Sequence, residues 1–342
     1  MVKLGKSTII KVAVAILLAA VIPLFFRSNR YLLDVFINLG IFVILGSSLN
    51  LMLGFTGQIS MGQAAFFGLG AYTATLLCMR LHVPFIPAMI GAVILCFGFG
   101  FIFGIPSTRL NTIFLSIATV GLNRIMVIIF TNWRSLTNGA TGILNIPQVK
   151  LFGQKMTKLE YYYMTLLFTL FVLLMCYRIV RSKTGRAFMS IKNNVIAASA
   201  MGINVNRYKL LVFAIGAAFS GIAGTLYAFN IRYIQPEAFN STLSIKILTM
   251  SVIGGMGDLT GAVIGSLVVG ALPELLRDFA EYQLTIYGLA VVLVLRFMPG
   301  GIISVIRKFI AYCKKKLGQV SPGSTKPPRV QNTAKEYLNK EE

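Results

Sequence analysis

The chain has 342 residues, of which 56% are hydrophobic and only 12% are charged. A soluble domain carries about twice that share of charged residues, so this composition excludes a soluble enzyme or binding domain. The net charge of +22 (32 basic and 10 acidic residues) does not indicate a nucleic-acid-binding surface, because the basic residues lie mainly between apolar blocks and in the C-terminal tail. That distribution is typical of cytoplasmic loops, and we predict an all-α polytopic membrane protein.

Apolar segments of about 20 residues, the length that crosses a bilayer, recur along the chain and predict about ten transmembrane helices. The first, 8–26, has lysines at its start and therefore also resembles a signal peptide. No good cleavage site closes it and further apolar segments follow, which favours an uncleaved span with a cytoplasmic N-terminus. The predicted spans are 8–26, 31–53, 58–79, 84–106, 112–132, 160–180, 207–229, 241–256, 259–276 and 282–298. The spans at 241–256 and 259–276 are short and glycine-broken, and they could be half-helices that meet inside the membrane.

Ten crossings from a cytoplasmic N-terminus place the polar segment 181–206 and the C-terminus on the cytoplasmic side, where the positive-inside rule expects basic residues. The loop 133–158 falls outside despite its lysines, so the rule holds here only as a bias. We divide the chain into a transmembrane permease domain, 1–304, and a basic, partly disordered cytoplasmic tail, 305–342.

Two glycine clusters interrupt apolar sequence. The stretch GFTGQISMGQAAFFGLGAYTATLL, 54–77, has five glycines and no charged residue, and GGMGDLTG follows at 254–261. A span that contains both glycines and amides favours a helix break that faces protein or water. Gly68 and Gly70 each have an alanine four positions away, a spacing that allows close helix packing. An offset of 200 residues aligns several residues of the two clusters, which leaves open a repeat or a coincidence. The predicted helix breaks are Gly54, Gly57, Gly254, Gly255 and Gly257.

Polar side chains within spans are the candidates for a translocation path, because hydrocarbon makes them costly unless they face water or protein. For any one of them the alternative is a hydrogen bond that only holds two helices together. As a group, amides and hydroxyls without fixed charge would let a zwitterionic solute pass without trapping it. The candidates are Asn50, Gln58, Ser60, Gln63, Ser116, Thr119, Asn123, Ser244, Thr249 and Ser251.

The segment 181–206 contains a further helical stretch, from Ala187 to Met201, that is too polar to span. Its alanines form a smooth face, basic residues flank it, and Gly202 can end the helix. Such a helix suits insertion into a groove on another protein, and the alternative is an amphipathic helix lying on anionic lipid.

The chain carries no recognisable catalytic set. The glycine-rich GGMGDLTG lacks the Gly-Lys-Ser/Thr end of a phosphate-binding loop. With one histidine and four scattered cysteines, the sequence also predicts no metal site.

Four ordered blocks resemble the branched-chain amino acid ABC permeases. The pattern Ile-Ala-Ala-x-Ala-Met-Gly-Ile-Asn-Val-x-Arg-Tyr-Lys-Leu at 196–210 looks like their cytoplasmic coupling segment, and the stretch 54–77 resembles a second family block. IPSTRLNTIFLSIATVG at 105–121 and MSVIGGMGDLTGAVIGS at 250–266 resemble two more. The resemblance covers roughly residues 31–304, and the longer spacing favours the LivM type over the LivH type.

The resemblance implies a type II-like ABC importer permease with short broken helices, in the bacterial cytoplasmic membrane. It implies three kinds of partner besides membrane lipid: a second permease subunit, two ATPase subunits on the cytoplasmic face, and an extracytoplasmic solute-binding protein. The chain itself would bind no cofactor and catalyse no reaction, since ATP and Mg would be used by the ATPase subunits. The residues expected to contact those subunits are Arg186, Lys192, Ala197, Ala198, Met201 and Gly202.

This chain departs from the family pattern at two places. Asn193 and Val195 stand where acids are usual, which puts a salt bridge from the coupling segment in doubt. Gln63 stands where histidine is expected, and an amide can keep a hydrogen bond but cannot titrate.

The expected function is translocation of leucine, isoleucine and valine, powered by the separate ATPases. One alternative keeps this machinery but carries urea, a short amide or another hydrophobic amino acid. A second is an ion-coupled secondary transporter, which would need carboxylates in the membrane. The first seven spans contain only Asp34 and Glu160, each at an edge, and Glu274 is the one acid that supports this alternative.

Overall fold

A computed structural model describes residues 6–27, 29–151 and 154–275, together with residues 282, 285–286, 288–289, 292, 296 and 301–304. The described residues lie in one compact unit, Met1–Ser304. The predicted tail, and most of the predicted span 282–298, lie outside the described residues.

The described chain is built almost wholly of helices. In chain order they are α1 (Lys6–Phe25), α2 (Arg30–Thr56), α3 (Gln63–Arg80), α4 (Phe85–Arg109), α5 (Thr112–Asn132), α6 (Arg134–Thr137), α7 (Lys158–Arg181), α8 (Lys183–Asn193), α9 (Val195–Ala200), α10 (Val205–Ile231), α11 (Ser241–Gly254) and α12 (Leu259–Leu275). Short 3₁₀ turns lie at Gly139–Thr141 and Pro236–Phe239, and the loop before α7 holds a two-stranded antiparallel hairpin, β1 (Lys150–Leu151) and β2 (Gln154–Lys155).

Five of the described helices are long and apolar enough to cross a membrane, namely α2, α4, α5, α7 and α10. This confirms an all-α polytopic membrane protein. Helices α1, α3, α11 and α12 also lie at predicted spans, but none of them is among these five. The count of about ten crossings therefore stays a prediction.

Helix α10 lies at the centre of the described bundle and packs against α2, α3 and α4. Its small residues allow that contact: a side chain at Gly224 would overlap the Phe67 carbonyl, and Gly70 of α3 meets the backbone of Gly221. The close-packing role predicted for Gly70 is therefore confirmed. Because lipid offers no hydrophobic drive between helices, such close backbone approach is a main source of stability.

Aromatic rings and hydrogen bonds hold the connecting segments to this bundle. Phe239 of the second 3₁₀ turn packs against the rings of Phe67 and Tyr72, with centroids 5.5 Å and 5.8 Å away. The hydroxyl of Tyr162 in α7 donates to the Ala19 carbonyl of α1 over 2.7 Å. At the start of α7, Lys158 pairs with Asp34 of α2.

Candidate functional site

Two helix breaks lie at the glycine clusters, as predicted. Helix α2 ends at Thr56, its cap residue Gly57 has a left-handed φ of 74°, and α3 begins at Gln63. Helix α11 ends at Gly254, and Gly255 and Gly257 follow with φ of 122° and 86°. Glycine reaches these φ values without the steric cost that other residues incur.

Gly54 and Gly254 were predicted as breaks but are helical. Gly54 lies inside α2 and Gly254 is the last residue of α11. Both are needed for close contact instead: a side chain on Gly54 would meet the backbone of Gly257, and one on Gly254 would meet Gly261 of α12. In each cluster a helix thus ends beside a glycine with positive φ. That the two glycine clusters are copies of one sequence repeat stays a prediction.

Asn50 joins the two breaks. Its side-chain amide donates to the Asp258 carbonyl over 2.9 Å, and its carbonyl oxygen accepts from the Gly257 N–H over 3.0 Å. Asn50 is fully buried. A buried amide whose donor and acceptor are both used by backbone holds that backbone in place, so Asn50 fastens the α11–α12 break to α2.

The other polar candidates mostly hold helices together. Gln63 accepts from Ser220 of α10 and contacts the Met52 sulfur, while Ser251 donates to the Gly46 carbonyl over 3.0 Å. Thr119 accepts from the Met61 N–H over 2.9 Å, and the amide of Asn123 donates to Ser241 over 3.3 Å.

Four hydroxyls complete the set. Ser244 accepts from the Ala64 N–H and Ser60 from the Gly62 N–H, both over 3.3 Å. Thr249 and Ser116 donate to carbonyls of their own helices. Nine of the ten candidates are buried, and only Ser116 is half-buried. Most of the candidates' contacts to other segments are interhelical hydrogen bonds, the alternative that the sequence left open, whereas Ser60, Ser116 and Thr249 bond only within their own turn or helix.

Gln58 is the exception among these amides. It is 3% exposed, yet neither its amide nitrogen nor its oxygen has a hydrogen-bond partner within the described chain. It lies beside a cavity of about 110 Å³ that is also lined by Ser107, Ile191, Lys192 and Lys209. A buried amide without partners is costly, and among the other candidates only the Asn123 side-chain oxygen likewise lacks a partner within the described chain.

The predicted coupling helix is two helices rather than one. Asn194 separates α8 from α9 with extended backbone, and its side chain accepts from the Ala197 N–H, 3.0 Å away. Asparagine is a strong helix cap, which explains the split. The stop at Gly202 is confirmed, since its φ of 80° is left-handed.

Helix α8 is anchored to the membrane helices, whereas α9 projects away from them. Phe188 and Ile191 of α8 are buried, and the Phe188 ring lies 6.1 Å from that of Tyr208. In α9 and its cap, Ile196 and Met201 are each 82% exposed. Two large apolar side chains are thus exposed on the short apolar helix α9 and its cap.

The predicted contact residues do not follow this boundary. Arg186, Ala197, Met201 and Gly202 are exposed, but Ala198 is 4% exposed and packs inside the chain. Ala198 therefore supports the fold of α9 and does not form part of its outer face. Sequence reasoning missed Ile196, although an isoleucine beside a cap in a polar stretch was a usable signal.

Lys192 connects this segment to the breaks. Its ammonium donates to the Gly54 carbonyl over 2.6 Å, near the C-terminal end of α2. A cation at the negative end of a helix is favourable. The predicted contact residue Lys192 thus reaches into the chain, and α8 is tied to the point where α2 and the α11–α12 break meet.

Comparisons with known proteins agree with this geometry. The family model for the permease component of branched-chain amino acid transport systems matches residues 31–295. The chain is 30% identical over 327 residues to the high-affinity branched-chain amino acid transport system permease protein LivM of Escherichia coli, covering 89% of this chain and 77% of the relative.

Two further relatives have the same kind of name. The LivH permease protein of Salmonella typhimurium is 26% identical over 278 residues, covering 74% of this chain and 88% of the relative. A probable LivM permease of Methanocaldococcus jannaschii is 26% identical over 250 residues, with 68% and 72% covered. No solved structure matches the chain.

Proposed function

Because the chain belongs to the family of branched-chain amino acid transport permeases, we propose that it carries leucine, isoleucine and valine across the bacterial cytoplasmic membrane as the permease subunit of an ABC importer. The relatives are transporter subunits, which points to a chain that is not an enzyme. They are named for branched-chain amino acids, so urea and short amides are not favoured. Glu274, the one acid that supported ion coupling, is exposed near the end of α12, and Asp34 pairs with Lys158.

The proposal includes the other components of the importer. A LivH-type chain is the expected second permease, since both LivM and LivH proteins are relatives. Two separate ATPase subunits would bind ATP and Mg, and a solute-binding protein would deliver the amino acid from outside. Both termini would then lie in the cytoplasm, on the same side as α8 and α9.

The exposed α9 carries this proposal. Ile196 and Met201 form an apolar projection of the size that fits a groove on another protein. Behind it, α8 is packed on the membrane helices and bonded through Lys192 to the Gly54 carbonyl. A force applied at α9 by an ATPase would therefore reach the α2 end and, through Asn50, the α11–α12 break.

Coupling is tested by Ile196→Glu. A carboxylate placed in an apolar groove loses its hydration, so the ATPase should no longer bind productively. We expect membrane insertion to be normal and leucine uptake to fall by about tenfold or more, the effect of losing roughly 1.4 kcal/mol of contact energy. Uptake of labelled leucine and copurification of the ATPase with the permease measure both effects.

Ile196→Leu is the matched control, because it keeps the volume and apolar character of the side chain. It should retain uptake and ATPase copurification. Wild-type uptake and copurification in Ile196→Glu would remove α9 as the ATPase contact.

A further inference from the structure

Arg124 is a cation near the middle of a helix that is apolar enough to span the membrane. Helix α5 runs Thr112–Asn132, so at 1.5 Å per residue Arg124 lies about 18 Å from its start and about 12 Å from its end. Neither end is within easy reach of a guanidinium that seeks water. Sequence reasoning passed over this residue, although an arginine inside the predicted span 112–132 was a direct signal.

The side chain of Arg124 is exposed and has no hydrogen bond or ion pair with any residue that the structure describes. None of the five described carboxylates pairs with Arg124, and three of them have other partners. Asp34 binds Lys158, Glu160 accepts from the Thr157 N–H, and Asp258 caps the start of α12. The charge of Arg124 is therefore not neutralised by these groups.

The face of α5 around Arg124 is otherwise apolar and open. Ile117 and Ile128, at i−7 and i+4, are 63% and 48% exposed. Gly121, at i−3, lies between them with no atom within 4 Å of the position a side chain would take. The polar candidates Thr119 and Asn123 are buried, on other sides of the helix. One guanidinium thus stands on an exposed stripe of α5 flanked by isoleucines.

Hydrocarbon is a poor environment for this face. An intramembrane arginine faces protein or water and marks a substrate or ion pathway more often than a lipid contact. This face has the two chemistries that a branched-chain amino acid needs. A guanidinium binds a carboxylate through two parallel hydrogen bonds, and isoleucine side chains pack against leucine, isoleucine or valine.

We propose that this face of α5 lines the translocation path and that Arg124 binds the substrate carboxylate during passage. The proposal rests on the function proposed above and names a residue for it. It also revises the expectation of a path without fixed charge. A single cation without an acid partner leaves the substrate ammonium in water, so the amino acid is held briefly and then released.

The test uses the complete importer in proteoliposomes, with its binding protein and ATP. Arg124→Gln removes the cation and keeps a polar side chain, so leucine uptake per ATP hydrolysed should fall about tenfold, the effect of one lost charge-assisted hydrogen bond. Binding-protein-stimulated ATP hydrolysis should continue, because α9 is intact. Arg124→Lys should recover part of the uptake, and Arg109→Gln, an exposed arginine at the end of α4, is the matched control.

Accessibility gives a second, independent measurement. With the four native cysteines replaced, Arg124→Cys should react with a charged, membrane-impermeant methanethiosulfonate reagent. Leucine-loaded binding protein should slow that reaction, and binding protein without leucine should not. Protection by leucine would support the path, whereas an unreactive cysteine would place this face against lipid or a tightly packed partner.

The outcomes separate the two proposals. If the wild-type importer takes up no leucine, the proposed function fails. If it does take up leucine and Arg124→Gln has the same uptake per ATP, only the role of Arg124 fails. If Arg124→Gln no longer copurifies with the second permease, Arg124 pairs with an acid of that subunit and does not bind substrate.

Discussion

At the scale of single residues, the predicted candidates hold the two breaks in place. Sequence could predict that Asn50 and Gln63 avoid lipid, because an amide in hydrocarbon is costly. It could not predict their partners, since Asn50 binds backbone more than 200 positions away and Gln63 binds Ser220 of α10. Such contacts depend on how helices distant in sequence pack together.

The two left-handed glycines should differ in their tolerance of a side chain. Gly57→Ala introduces the left-handed strain of about 1–2 kcal/mol, but its methyl group meets Lys192 only at 3.6 Å. Gly257→Ala adds the same strain and places its methyl group 2.9 Å from the Gly54 carbonyl. The melting temperature of the purified protein in detergent should therefore fall further for Gly257→Ala. Equal shifts would mean that the two breaks do not touch.

Lys192 should transmit movement rather than bind the ATPase. Lys192→Gln loses the charged donor to the Gly54 carbonyl, so α8 should hold α2 less firmly. We expect the ATPase to copurify normally while leucine uptake per ATP falls several-fold. Lys183→Gln, at the start of the same helix, should leave both unchanged. Loss of copurification in Lys192→Gln alone would instead assign Lys192 to the docking surface.

At the scale of elements, hydropathy predicted the positions of the long helices closely. For α5 the predicted 112–132 is the observed helix, and for α7 the predicted 160–180 lies within Lys158–Arg181. The segment after α7 was harder, because composition alone does not reveal that Asn194 turns its side chain back to cap a second helix. The direction of α9, and so the exposure of Ile196, depends on that cap.

The contact between α3 and α10 should be sensitive to a single methyl group. Gly224→Ala places a side chain against the Phe67 carbonyl, and the helices must separate to accept it. We expect a lower melting temperature and reduced amounts of folded protein in the membrane. Gly98→Ala is the control, because nothing lies within 4 Å of its side-chain position and alanine favours a helix by up to about 1 kcal/mol. An equal loss in both variants would contradict this packing.

At the scale of the whole molecule, the features form one line of contact from the cytoplasm into the membrane. The exposed α9 continues into α8, α8 is bonded to α2, and α2 is fastened by Asn50 to the α11–α12 break. The family resemblance predicted the coupling segment, and the clustered glycines predicted the breaks. Neither predicted that they meet, because their approach depends on the packing of α2, α8 and α11.

The central claim is that this chain imports branched-chain amino acids only when an ATPase acts on α9. The most direct measurement is uptake of labelled leucine by proteoliposomes that contain this chain, its partner permease, the ATPase subunits and the leucine-loaded binding protein. We expect uptake that requires ATP hydrolysis and that is lost in Ile196→Glu but kept in Ile196→Leu. Leucine uptake that proceeds without ATP, or driven by an ion gradient alone, would contradict it.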